Sequence, residues 1–175
     1  MNRFLVPIVG FAVLVLFLMI GLNRDPTFVP SPLIGKQVPA FNLPELSDPD
    51  KFVTDADLRG KFSVLNVWAT WCSGCRQEHP VLNQIAAQGE VPIYGLNWKD
   101  DASLANEWLQ RLGNPYTATA FDSEGRVAID WGVYGAPETF LIAPDGTILY
   151  RHISPMTMEV WKSEFLARIA SVSTP

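Results

Sequence analysis

The chain has 175 residues, of which 48% are hydrophobic, and it carries a formal net charge of −5 at pH 7. This length suits one domain with short extensions. From Asp25 onward there are 18 acidic and 11 basic side chains and no basic stripe, which argues against nucleic acid as a partner. The acidity is typical of a solvated protein surface.

The first predicted element is an apolar helix. The run 4–22 contains no charged residue and would span about 28 Å as a helix, close to the thickness of a bilayer core. It is longer than the apolar part of a signal peptide, roughly 7–15 residues, and no small-x-small cleavage site follows it. We therefore expect a retained transmembrane anchor rather than a cleaved signal peptide or a buried helix. A proline-rich linker is expected over 23–35 and a folded domain over 36–175.

Within the domain, strands alternate with helices before a hairpin and a last helix. Pro80 is expected to kink the first of these helices, and Ser103 is the expected N-cap of the second. Asp145-Gly146 between two apolar runs is a hairpin signal. We predict an α/β fold with a mixed central sheet flanked by helices. The predicted strands are 63–69, 91–97, 117–121, 139–143 and 148–152, with short extended segments at 41–44 and 52–54, and the predicted helices are 73–87, 103–112, 126–131 and 158–170.

The two cysteines, Cys72 and Cys75, are the only ones in the chain and stand where the central strand turns into a helix. A helix N-terminus carries partial positive charge, so a thiolate is favoured at Cys72, which we expect to be the exposed nucleophile. Cys75 lies one turn further on the same helix face and would resolve a mixed disulfide. Trp71 would cover the pair on one side. The spacing predicts a redox-active Cys72–Cys75 disulfide.

Three other interpretations of the two cysteines compete with this one. A purely structural disulfide would close a very short loop and remove little chain entropy. Half of a zinc site would need two more ligands, for which His79 and His152 are the available histidines, and His79 is expected to be a surface residue. Haem attachment needs a histidine directly after the second cysteine, where Arg76 stands. We expect no metal and no cofactor.

Taken together, these residues resemble the thioredoxin-like superfamily and, more closely, the DsbE/CcmG thiol:disulfide interchange proteins of cytochrome c maturation. Three segments carry the resemblance, namely 66–79 around the cysteines, 95–100 and 132–140. The resemblance covers the anchor and the chain from about Leu33 to the end. The Cys-Ser-Gly-Cys centre departs from the Cys-Pro-Thr-Cys of the family, and this difference bears on the redox potential.

The resemblance implies roles for residues outside the cysteine pair. Ala136 and Pro137 would form a cis-proline loop that faces the dithiol and holds an extended substrate segment. Glu78 and Glu138 would lie near the cysteines, where a carboxylate disfavours the thiolate and exchanges its proton. From the residues alone, a trans proline in a turn and a solvated Glu78 are the simpler expectations.

The resemblance also implies a function. We expect a membrane-anchored oxidoreductase on the periplasmic side of the inner membrane, which reduces the Cys-x-x-Cys-His disulfide of apocytochrome c before haem attachment. A transmembrane thiol donor of the DsbD/CcdA type would reduce it again, and other cytochrome c maturation components would be partners. The alternatives are an apocytochrome-binding holdase and a thioredoxin-like copper chaperone. A peroxidase is weaker, because Ala69 stands where the peroxidatic pattern has threonine.

Overall fold

The computed structural model describes residues 5–22 and 33–173. The chain divides into two compact units, Met1–Pro30 and Ser31–Pro175. The first contains helix α1 (Leu5–Leu22). In the described part of the chain, no helix has both the length and the apolarity required to cross a membrane, so the transmembrane part of the anchor prediction is not confirmed. Residues 23–32 of the predicted linker lie outside the described residues.

The second unit is built around a five-stranded sheet with the strand order β5-β4-β3-β6-β7. Strands β3, β4 and β5 are parallel, whereas β6 and β7 run antiparallel to them, so the predicted mixed sheet is confirmed. A separate antiparallel pair, β1-β2, precedes it. The strands are β1 (Asn42–Pro44), β2 (Phe52–Thr54), β3 (Ser63–Trp68), β4 (Ile93–Trp98), β5 (Ala118–Asp122), β6 (Glu138–Ile142) and β7 (Ile148–Ile153).

Helices pack on both faces of this sheet, and β3 is therefore buried along its whole length. One face packs against α2, α3 and the C-terminal helical segment, and the other against the β1-β2 pair and α4. The helices are a 3₁₀ turn (Asp55–Leu58), α2 (Ser73–Gln88), α3 (Ala102–Leu112), α4 (Arg126–Asp130), α5 (Met158–Val160), a π-helical segment (Trp161–Leu166) and α6 (Ala167–Ser173).

Some local predictions are wrong. The N-cap of α3 is Asp101 and not Ser103, because the Asp101 carboxylate accepts hydrogen bonds from the backbone N–H groups of Ser103 and Leu104. Strand β4 starts at Ile93, two residues later than expected, since Pro92 directly before it has no N–H to donate.

His79, expected on the surface, is only 3% exposed. Its Nε2 donates to the Gly113 carbonyl at 2.8 Å, and its Nδ1 accepts from the indole N–H of Trp108 at 3.4 Å. Burial lowers the pKa of His79, which agrees with a neutral ring in these two contacts. This histidine therefore joins α2 to the end of α3.

Candidate active site at the start of helix α2

The two cysteines form a disulfide at the junction of β3 and α2. Cys72 is the N-cap of α2, with extended backbone angles (φ −86°, ψ 112°), and Cys75 lies in the first turn. The Cys72 sulfur accepts a hydrogen bond from the backbone N–H of Cys75 at 3.0 Å. Because the unpaired N–H groups of a helix start point toward this position, negative charge on the Cys72 sulfur is stabilised.

The exposure of the cysteines differs from the expectation. Cys72 is 5% exposed and Cys75 2%, so Cys72 is buried in this disulfide form and is not the exposed nucleophile that was expected. Trp71 next to it is 56% exposed, and its ring lies against Trp98 with centroids 5.6 Å apart.

The first turn of α2 packs closely against two proline residues. The Ala136–Pro137 peptide bond is cis. A Cβ atom added to Gly74 would lie 2.8 Å from Cδ of Pro137 and 3.2 Å from Cγ of Pro155. Glycine between the cysteines therefore allows this approach, and Ala136 packs on the same buried cluster as both cysteines.

Glu78 lies one turn after Cys75 on α2 and is buried. Its Oε1 accepts a hydrogen bond from Asn66 Nδ2 at 2.8 Å, and its Oε2 accepts one from the backbone N–H of Met156 at 2.7 Å. Burial raises its pKa to about 7, although the two hydrogen bonds oppose the shift. A carboxyl group with this pKa can take up and return a proton near neutral pH.

A chain of buried polar groups fixes Asn66. The Tyr116 hydroxyl donates to Asn66 Oδ1 at 2.8 Å, and Asn66 Nδ2 also donates to the Thr139 hydroxyl at 3.0 Å. Trp68 stacks on the Tyr116 ring with centroids 5.5 Å apart. Burial raises the pKa of Tyr116 well above its usual value, so the hydroxyl remains a donor. The orientation of the Glu78 carboxyl thus depends on β3, β6 and the segment before β5.

Glu138 has a charged partner, unlike Glu78. It pairs with Val67 across the sheet, one position after the Asn66–Thr139 pair, so its side chain lies on the opposite face from Glu78. Its Oε2 accepts from Arg151 Nε at 2.8 Å and Nη2 at 2.6 Å, and both side chains are almost fully buried.

The other oxygen of Glu138 holds the loop that leads to the cis-proline. Its Oε1 accepts from the backbone N–H groups of Tyr134 and Gly135 at 2.9 and 3.2 Å. Arg151 adds a hydrogen bond to the Gly132 carbonyl at 2.9 Å. The buried ion pair therefore shapes the 132–137 loop, which is a positioning role.

Asp100 ties the end of β4 to the turn before the cysteines. Its carboxylate accepts from the backbone N–H and the hydroxyl of Thr70, both at 2.6 Å, and from Asn97 Nδ2 at 2.9 Å. Trp71 Nε1 donates to the carbonyl of Lys99 at 3.0 Å. Lys99 has φ +47°, the one positive φ outside glycine among the described residues. Such a conformation is costly for lysine. Here it accompanies the approach of the Lys99 carbonyl and the Asp100 carboxylate to residues 70 and 71.

Several of these residues were missed from the sequence. Asn66 had a usable signal, because it is the central polar residue of an otherwise largely apolar strand, and buried polar groups need partners. Tyr116, Arg151 and Asp100 had none, since their partners lie 50, 13 and 30 residues away in the sequence.

We predict that Glu78→Gln changes the pH dependence of stability. The folded-state pKa of about 7 lies above the usual value of 4.5, so the folded chain binds the proton more tightly than the unfolded chain. The free energy of unfolding should fall by up to about 3 kcal/mol as pH rises from about 4.5 to about 7. Urea unfolding of the oxidised protein across this range measures the slope, which Glu78→Gln should remove. The same slope in both proteins would contradict the assignment.

We also predict that Asp100→Asn loosens the turn before Cys72, because an amide NH₂ would face groups that are themselves donors. The loss of stability should be about 1–3 kcal/mol, and the Thr70 amide should exchange faster with solvent. Amide hydrogen exchange measures the second effect. Asp145→Asn is the matched control, since Asp145 accepts from the N–H and hydroxyl of Thr147 on an exposed turn. Unchanged exchange at Thr70 in Asp100→Asn would refute the prediction.

Comparison with known proteins places this geometry in a family. Residues 33–167 match the Redoxin family. The chain is 51% identical over 167 residues to the thiol:disulfide interchange protein DsbE of Yersinia pestis, with 92% of this chain and 88% of the relative covered. It is 44% identical over 169 residues to DsbE of Allochromatium vinosum, covering 97% and 93%.

A solved structure agrees. The crystal structure of a candidate DsbE thiol:disulfide interchange protein from Chlorobium tepidum superposes with a TM-score of 0.68 at 27% identity, covering 79% of this chain and 96% of that one. The fold is therefore thioredoxin-like, and the Cys72–Cys75 disulfide is that of a thiol:disulfide oxidoreductase. The chain belongs to the DsbE family of thiol:disulfide interchange proteins within the redoxins.

Proposed function

We propose that this chain reduces the disulfide of apocytochrome c Cys-x-x-Cys-His sites before haem attachment. The observation that carries the proposal is the position of the Cys72–Cys75 disulfide, at the N-terminus of α2 and against the loop of Pro137. The family supports a thiol:disulfide exchange reaction, and the reducing direction and the cytochrome substrate are the parts proposed here.

In the reduced enzyme, the Cys72 thiolate attacks one sulfur of the substrate disulfide. A bond forms between Cys72 and that sulfur, the substrate S–S bond breaks, and the other substrate sulfur leaves as a thiolate. Cys75 then attacks Cys72, which closes the Cys72–Cys75 disulfide and releases the second substrate thiolate. Two electrons pass from the enzyme dithiol to the substrate, and the two substrate thiolates take up protons from the solvent.

Glu78 is suited to the proton transfer in the second step. It lies one turn after Cys75 on α2 and is buried as Cys75 is, so its carboxylate can accept the Cys75 proton as that thiol becomes a nucleophile. A pKa of about 7 allows the group to give the proton back when the disulfide is reduced again. A transmembrane thiol donor of the DsbD/CcdA type is proposed for that reduction.

A membrane tether on the periplasmic side of the inner membrane completes the proposal. Its support is the uncharged run 4–22 and the apolar side chains that α1 exposes, among them Phe11 at 68% and Phe17 at 71%. A reductase held at the membrane would lie beside a donor embedded in it and beside the other components of cytochrome c maturation.

A trapping experiment tests the reaction, and a carbonate wash of membranes tests the tether. In Cys75→Ser the mixed disulfide cannot be resolved, so full-length protein should accumulate a covalent adduct with a disulfide-closed Cys-x-x-Cys-His peptide. Cys72→Ser, which keeps one thiol, is the matched control and should form no adduct. Non-reducing electrophoresis and mass spectrometry identify the adduct, and carbonate-washed membranes from expressing cells should retain the protein.

An adduct through Cys75, or none through either cysteine, would contradict the proposed reaction. Protein released from the membranes by the carbonate wash would contradict the tether and leave the reaction untouched.

A further inference from the structure

A groove of about 450 Å³ lies beside the dithiol, between the start of α2 and helix α3. The reaction described above does not use it. The residues that matter to its chemistry are Trp71, Arg76, Leu104, Trp108 and Arg111. Arg76 lies one turn after Cys72 on α2, so the groove begins next to the attacking sulfur.

The floor and one wall of the groove are apolar. Trp108 is 6% exposed at its base, whereas Leu104 on α3 and Trp71 beside Cys72 are more than half exposed. Large apolar side chains gathered around a concavity and left in contact with water mark a site for another apolar group. The concavity therefore suits a large apolar side chain of a bound polypeptide.

Among the residues that the structure describes, the rim of the groove carries one cation available to a ligand. Arg111 is paired with Glu107 at 3.3 Å. The Arg76 guanidinium lies over the Trp108 ring, 4.5 Å from its centroid, and is exposed. Among residues 5–22 and 33–173, Arg76 forms no ion pair with a carboxylate. A guanidinium fixed on an aromatic ring in this way is oriented to bind a carboxylate.

The surrounding charge gives this cation a selective role. The chain is acidic overall, with a net charge of −5, so an acidic polypeptide is repelled at long range. Acceptance of a carboxylate beside Cys72 therefore requires a local positive group, and Arg76 supplies it.

Cys72 and Arg76 are neighbours on one face of α2, and such neighbours are about 5–6 Å apart. In an extended segment that distance covers about two residues, so the bound carboxylate would lie two or three residues from the attacked cysteine.

We infer that the groove of Trp71, Leu104 and Trp108 is a specificity site that selects disulfide substrates with a large apolar side chain and a carboxylate near the attacked cysteine, the carboxylate binding Arg76. This inference rests on the proposed function, because it names which Cys-x-x-Cys polypeptides are reduced fastest. It adds recognition of the flanking sequence, which the sulfur chemistry itself does not provide.

The test measures the rates at which disulfide-closed Cys-x-x-Cys-His peptides are reduced. Each peptide contains one leucine, and the peptides differ at one position only, which is Glu, Gln or Lys. The variable residue is placed two or three positions from the cysteine pair, on either side. With the wild-type enzyme, the Glu peptide should react two- to fivefold faster than the Lys peptide in at least one placement, and added salt should reduce the ratio.

Charge variants assign this preference to a residue. Arg76→Gln should bring the Glu-to-Lys ratio close to one, and Arg76→Glu should reverse it. Arg126→Gln is the control of equal charge change, since Arg126 is 82% exposed and paired with Glu124 at the surface. It should keep the wild-type ratio. Leu104→Asn should lower the rate of leucine peptides relative to alanine peptides.

Rates for the uncharged bis(2-hydroxyethyl) disulfide report the reactivity of the cysteines in each variant, apart from peptide binding. Equal rates for the Glu, Gln and Lys peptides, or a preference that Arg76→Gln retains, would overturn the groove assignment alone. Failure to reduce any Cys-x-x-Cys peptide, while the small disulfide still reacts, would overturn the proposed function and this inference with it.

Discussion

The whole site depends on the start of helix α2, where Cys72 serves as the N-cap. Three constraints meet there. The end of β3 delivers the chain, the Asp100 carboxylate holds Thr70 two residues before the cysteine, and Gly74 allows Pro137 to pack against the first turn. Each of these fixes the backbone rather than the sulfur. The chemistry of the dithiol follows, because unpaired backbone N–H groups then point at one sulfur and the second lies one turn away.

The sheet separates two buried carboxyl groups, Glu78 and Glu138, for which the sequence analysis expected the same role. Glu78 has only neutral partners on the helix α2 face, so burial dominates and its pKa rises to about 7. Glu138 on the other face meets the Arg151 guanidinium and two backbone N–H groups. These contacts occupy both carboxyl oxygens of Glu138. One group can therefore exchange protons, while the other holds the loop before Pro137.

The sequence was sufficient for the elements with strong local signals. The apolar run into β3, the helix after the cysteines and the Asp145-Gly146 hairpin each predict their structure from neighbouring residues, and the mixed sheet follows from their order. The site was predictable at Cys72 and Cys75 for the same reason. The partners of Glu78 and Glu138 were not, because they come from separate strands. The side of the sheet that Glu138 faces depends on a one-residue register, which composition does not reveal.

In the proposed function, the Cys72–Cys75 couple gives electrons to its substrate. Its reduction potential, measured by equilibration with glutathione buffers and quantification of the free thiols, tests this most directly. Reference dithiol couples extend from about −270 mV for the reductant thioredoxin to about −120 mV for the oxidant DsbA. We expect a potential clearly more negative than that of DsbA. A value at or above about −120 mV would mean that the couple oxidises its partners instead of reducing them.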